Sequence, residues 1–102
     1  MIARTWRGKV AAGNGVGYLE IIGRTGLRVS RATPGNLGFY ALQRPAGDHD
    51  EILTISLWDS RDVIRAFAGE EIATAVFYPE DDAWLTERDL YADHWEVVSE
   101  VG

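Results

Sequence analysis

The chain has 102 residues, 46% hydrophobic and 25% charged, which is the length and make-up of one folded domain with one core and excludes a disordered segment. It has no cysteine, and so no disulfide scaffold, thiolate zinc site, iron–sulfur cluster or cysteine nucleophile. A formal net charge of −6 repels phosphate backbones, so no nucleic-acid partner is expected; no apolar run reaches the ~20 residues of a membrane span, so no membrane association is expected either.

The start, Met1-Ile2-Ala3-Arg4, lacks the basic-then-apolar layout of a signal peptide, and a cytoplasmic protein is expected. Residues 2–10 alternate as a strand, with Ile2, Arg4, Trp6, Gly8 and Val10 on one face. From Asn14 to about Ser30 the period becomes helical, with Val16, Leu19, Ile22 and Leu27 on the apolar stripe. The glycines at 15, 17, 23 and 26 each weaken that helix by ~1 kcal/mol relative to alanine, so it needs tertiary packing. Thr33-Pro34-Gly35-Asn36 is a turn, and Leu37 to Arg44 reads as a strand. Pro45 to Asp50 is a polar hairpin loop. Glu51 to Trp58 is the strongest strand, with Leu53, Ile55 and Leu57 expected to face the core and Ile52, Thr54, Ser56 and Trp58 to face away. Ser60 is a plausible N-cap for a helix carrying Val63, Ile64, Phe67 and Ala68, ended by Gly69. Glu70 to Val76 reads as a second short helix stopped by Pro79, and Glu80 to Leu85 as one further helical turn. Asp93 to Val101 alternates as a closing strand.

This order predicts a single α+β domain over residues 1–102: a ferredoxin-like βαββαβ sandwich, an antiparallel sheet with helices on one face. The other face, expected to carry Thr5, Thr54, Ser56 and aromatic side chains, has no helix left to cover it. A second copy of the sheet would cover it, which predicts a homodimer.

Among the motifs, Gly13-Asn14-Gly15-Val16-Gly17 sits where a dinucleotide loop would, but the third glycine of that fingerprint is replaced by Tyr18. His49 and His94 are the two histidines; the topology puts them at the same end of the sheet on non-adjacent strands, and no metal site is expected. Glu80-Asp81-Asp82, with Glu87 and Asp89, reads as a solvated acidic surface. Four tryptophans exceed what so small a core requires. They suggest an aromatic-lined pocket for a flat, small aromatic or hydrophobic ligand, with Arg4, Tyr78 and His94 as its polar contacts.

The start Met-Ile-Ala-Arg-Thr-Trp-Arg-Gly, the turn Thr33-Pro34-Gly35-Asn36, and Leu57-Trp58-Asp59-Ser60 followed by Ile64-Arg65-Ala66-Phe67 and Tyr78-Pro79-Glu80-Asp81 resemble the antibiotic biosynthesis monooxygenase superfamily. The resemblance covers nearly the whole chain, and the strand-Trp-Asp-Ser-helix element is its most specific part. It implies a dimeric α+β barrel with a pocket between sheet and helices. Its members include cofactor-independent oxygenases of aromatic polyketides and haem-degrading monooxygenases. The haem-degrading branch uses an asparagine on the first strand, a tryptophan on the second helix and a histidine ten residues beyond it. Aligned on Trp58-Asp59-Ser60, those places fall on Trp6, Phe67 and Phe77, and none of the three matches. No cofactor is therefore expected.

For the cofactor-free branch, a phenol or hydroquinone must lose a proton to become electron-rich enough to reduce O₂, and the protein must desolvate it, stabilise the anion and handle the proton. Chemistry assigns these roles to Arg4 for the anion and to Tyr78 or His94 for the proton, with Trp6, Trp58, Phe67, Phe77 and Trp84 walling the ring. The expectation is an oxygenase of an aromatic small molecule; the alternative is a non-catalytic small-molecule-binding or accessory barrel protein. A cavity lined by Trp6, Tyr78 and Arg4 favours the first, and a solid core there favours the second.

Overall fold

The structure, a computed structural model, describes residues 1–98. Strand β1 (Ile2–Ala11) is followed by two helices, α1 (Gly15–Arg24) and α2 (Gly26–Ala32), then the hairpin of β2 (Asn36–Pro45) and β3 (His49–Trp58). Helix α3 (Arg61–Ala68), a 3-10 turn at Pro79–Ala83, and the short strands β4 (Leu85–Arg88) and β5 (Asp93–Glu96) complete the chain. All pairings are antiparallel, in the order β2-β3-β1-β4. The closing strand of the predicted βαββαβ order is in fact two: β4 pairs with Gly8–Val10 and β5 with Ile2–Thr5, end to end along one edge of β1. The fold is the α+β sandwich read from the sequence.

The single predicted helix breaks at Thr25. Its hydroxyl donates to the Ile21 carbonyl at 2.8 Å, and its ψ of −97° leaves the helical range, so α2 starts afresh at Gly26. The N-terminus of α1 is capped by a residue distant in sequence. Asn14 makes no side-chain cap, and the buried Asp50 carboxylate accepts from the N–H groups of Gly13 (3.1 Å) and Gly15 (2.9 Å). A Cβ at Gly15 would lie 2.6 Å from the Gln43 side chain and 2.9 Å from Asp50, which is why the position is glycine. The backbone donors a phosphate would need are thus already taken.

Three expectations are corrected. First, β3 faces the other way: Ile52 and Trp58 are fully buried beneath the helices, whereas Leu53, Ile55 and Leu57 lie on the uncovered face. Second, Thr54 and Ser56 are therefore not on the bare face; they pair with Trp6 and Arg4 on the helix side. The bare face is instead apolar. Its rows run Trp95–Ala3–Leu57, Thr5–Ile55–Tyr40 and Arg7–Leu53–Leu42, with Tyr40, Leu42 and Trp95 exposed. Third, Glu70 to Val76 forms no helix. Thr74 bridges Tyr91, Ala75 donates to the Leu90 carbonyl, and Ala92 donates to that of Ala73, so this stretch is a strap over the β1 edge. Of the closing strand expected over Asp93–Val101, only Asp93–Glu96 is paired, and residues 99–102 lie outside the described residues.

The core is in two parts. Val10, Tyr18, Ile21, Ile22 and Ile52 pack under α1, and Ile2, Trp58 and Ile64 pack under α3. Among the described residues no helix is long and apolar enough to cross a membrane.

Candidate active site

Where the two core clusters meet, the helix-side face of the sheet leaves a cavity of about 60 Å³. Alternation along β1 aims Arg4 and Trp6 into it, Thr54 and Ser56 face it from β3, and Phe67 comes from α3. The strap supplies Phe77 and Tyr78, α1 supplies Tyr18, and the 3-10 turn supplies Asp81.

Arg4 is 5% exposed. Its guanidinium donates to the carbonyls of Ile72 and of Thr74 (3.1 Å) and to Nε2 of His94 (2.9 Å), and it lies 5.7 Å from the Phe67 ring centre. Every one of these partners is neutral, and among the described residues Arg4 has no carboxylate. Burial lowers its pKa to about 10, so it stays charged at neutral pH. Three of its five N–H donors are engaged and two remain. Because a guanidinium can only donate, Nε2 of His94 accepts and its ring is neutral. Burial first, then the Arg4 and Arg61 charges, hold the His94 pKa down to about 4.

Tyr78 is placed by extended backbone and not by a helix end. Its hydroxyl is buried in the cavity region without a hydrogen-bond partner. Desolvation, and secondly the Asp81 charge, raise its pKa, so it is a phenol able to donate. Asp81 is not part of a solvated acidic run. At 4% exposure it accepts from the Tyr18 hydroxyl (2.8 Å) and from the Tyr78 backbone N–H (2.8 Å). Burial, then the Asp81 bond, raise the Tyr18 pKa well above its ordinary value, which keeps that hydroxyl a donor.

The structure brings Arg4, Trp6, Phe67, Phe77 and Tyr78 together around the cavity and leaves out the other three predicted residues. His94 holds Arg4 from behind. Trp58, with no exposure, stacks on Phe67 at 5.5 Å and donates to Ser56. Trp84 packs outside, against Gly17 and Tyr18 of α1. Sequence reading missed Asp81 and Tyr18; the available signal was Pro79 at the start of a helical turn with an acid two residues on, the pattern of an N-terminal cap that folds inward. The histidines lie far apart. His49 pairs with Ala11 and His94 with Arg4, roughly 23 Å apart at the strand rise. Among the described residues no cluster of three His, Asp or Glu side chains is placed to hold a metal ion.

The sequence model for antibiotic biosynthesis monooxygenase matches residues 1–77. No curated protein matches the chain in sequence. Among solved structures it is similar to a candidate antibiotic biosynthesis monooxygenase from Bacillus cereus, with a TM-score of 0.70 and 16% identity over 99% of this chain and 96% of that one. It is similar also to the heme-degrader MhuD of Mycobacterium tuberculosis, with a TM-score of 0.68 and 23% identity over 100% of both chains. A third is SnoaB, a cofactor-independent oxygenase from Streptomyces nogalater, with a TM-score of 0.65 and 14% identity over 98% of this chain and 96% of that one.

Proposed function

The chain belongs to the antibiotic biosynthesis monooxygenase family, and on that premise we propose that it is a cofactor-independent oxygenase of a small phenol or hydroquinone, acting as a homodimer. The observation that carries this reading is Arg4: a buried cation in an aromatic-walled cavity, held only by neutral groups, with two donors to spare. Burying a charge without an opposite partner is costly, and an ionised ring oxygen is the partner it lacks. The likeness to SnoaB is consistent with this reading.

The chemistry follows from the residues. The substrate enters as its phenolate, its proton left with bulk water, and its oxygen meets the free N–H donors of Arg4, which offset the cost of the anion between apolar walls. The electron-rich ring then reduces O₂. For a hydroquinone the balance is hydroquinone plus O₂ giving hydroxyquinone plus water: a ring C–O bond forms, the O–O bond breaks, and the ring supplies four electrons. The second oxygen atom leaves as water with two hydrogens from the substrate. Tyr78 donates to the developing oxygen charge, and His94, on the far side of Arg4, fixes the guanidinium's direction.

The residues do not fit haem. Aligned on Trp58-Asp59-Ser60, the place that the resemblance gives to the iron ligand falls on Phe77, whose ring has no lone pair, and the first-strand asparagine falls on Trp6. The homodimer reading is supported by the apolar face carrying Leu53, Ile55, Leu57, Tyr40 and Trp95, which a second sheet would cover.

Oxygen-electrode traces with phenols, hydroquinones and anthrones test the reading. Catalysed uptake that falls on Arg4→Gln substitution is expected. No uptake above the uncatalysed rate with any of them would retire it in favour of a non-catalytic binder.

A further inference from the structure

Arg4 and Asp81, opposite charges each at least nine-tenths buried, line the same cavity without forming an ion pair with each other. Each is solvated by neutral groups instead: carbonyls and a neutral imidazole for Arg4, the Tyr18 hydroxyl and the Tyr78 N–H for Asp81. Each has capacity to spare. Arg4 keeps two donors, and each oxygen of Asp81 has accepted one hydrogen bond where it can take two. They also belong to different parts of the wall, Arg4 beside Phe67 of the α3 cluster and Asp81 beside Tyr18 of the α1 cluster, with Trp6, Phe39 and Phe77 giving the apolar lining. A wall carrying two unneutralised charges of opposite sign is complementary to a ligand of reversed polarity.

We infer that the ligand is a single aromatic ring with two oxygen substituents, one ionised at Arg4 and the other a hydroxyl donating to Asp81. This is a dihydroxybenzene and not a fused polycycle. The inference rests on the oxygenase reading for its chemistry but names the substrate class from the two poles and the volume. A dry cavity of ~150 Å³ holds a benzene, so at about 60 Å³ even one ring requires lining side chains to shift, and each further fused ring requires a larger shift. The buried, unpartnered Tyr78 hydroxyl adds a third polar contact for such a ligand.

The test is an anaerobic titration of the intact protein with hydroquinone, its mono-methyl ether 4-methoxyphenol, and anthrone, followed by isothermal calorimetry. Hydroquinone should bind, the ether, which loses one pole, should bind about tenfold or more weaker, and anthrone should not bind. In Asp81→Asn the gap between hydroquinone and its ether should shrink below about threefold, while exposed Glu80→Gln should leave it unchanged. If Asp81→Asn does not fold, the comparison of ligands on the natural protein decides alone. Equal binding of hydroquinone and its ether, or tighter binding of anthrone, overturns the inference. Hydroquinone binding in the expected order without oxygen uptake upholds this inference and removes the oxygenase reading; anthrone turnover without hydroquinone binding does the reverse.

Discussion

Tyr18 of α1 donates its phenolic hydrogen to Asp81, 63 residues away in sequence, at 2.8 Å, with both side chains buried. This bond joins the first helix to the 3-10 turn that closes the cavity, and Asp81 in turn fixes the backbone of Tyr78.

The pair should be energetically coupled. Tyr18→Phe removes a hydrogen bond to a buried charge and should cost about 1.5–3 kcal/mol. With Asp81→Asn in the same background the two losses should fall short of additive by about 1 kcal/mol, within the range that contacting polar pairs show. Urea unfolding of the two single variants and the double variant measures this; strict additivity would mean the bond contributes nothing.

Stability and turnover should separate at Tyr78. Its hydroxyl has no partner among the described residues, so Tyr78→Phe removes an unsatisfied buried group and should leave stability unchanged or raise it by up to about 1 kcal/mol. The same variant should reduce oxygen uptake. Arg4→Gln should reduce it by on the order of 10²-fold and also lower stability, because the carbonyls of Ile72 and Thr74 lose their donor. Thermal unfolding beside initial rates distinguishes the two; a large stability loss in Tyr78→Phe would show that the hydroxyl is satisfied after all.

Acid should weaken the protein through His94. Its folded pKa, about 4, lies below the ordinary 6.5, so the unfolded chain takes up this proton first as pH falls. The contribution is fully present above pH 6.5, declines between pH 6.5 and 4, and is gone below. His94→Gln should flatten the stability curve in that window. Chemical denaturation from pH 7.5 to 4.5 checks the sign, and an unchanged slope in the variant would count against it.

The uncovered sheet face should hold two copies together. Ile55→Lys places a charge at its centre, directly between Thr5 and Tyr40, and should give a folded monomer where the natural chain sediments as a dimer. Sedimentation at micromolar concentration decides, and an unmodified chain that sediments as a monomer would remove the homodimer.

The architecture was legible because strand and helix periods are strong in β1, β3 and α3, and α3 ends at Gly69 as expected; the break at Thr25 was not, because its side-chain bond to the Ile21 carbonyl leaves the apolar stripe unchanged. The faces of β3 were not legible. Leu53, Ile55 and Leu57 make the more apolar side, so alternation points to the wrong one; Ile52 and Trp58 face the helices because Thr54 and Ser56 between them line the cavity, a tertiary feature that strand periodicity does not contain. The strap from Glu70 to Tyr78 reads as helical by composition, but its carbonyls are claimed by Arg4, a tertiary contact that local propensity does not contain. Asp81 was hidden by its neighbours. Glu80 and Asp82 are exposed, and only the inward turn after Pro79 separates the middle acid from them.

The tie from Arg4 to the carbonyls of Ile72 and Thr74 makes one residue both a wall-fixing and a ligand-facing group. The strap that carries Phe77 and Tyr78 cannot leave the sheet without breaking charge-assisted hydrogen bonds, so the guanidinium that faces the cavity also fixes the wall opposite it. One side chain on the first strand thus sets the shape of the chamber as well as the charge inside it, and a substitution there changes both together.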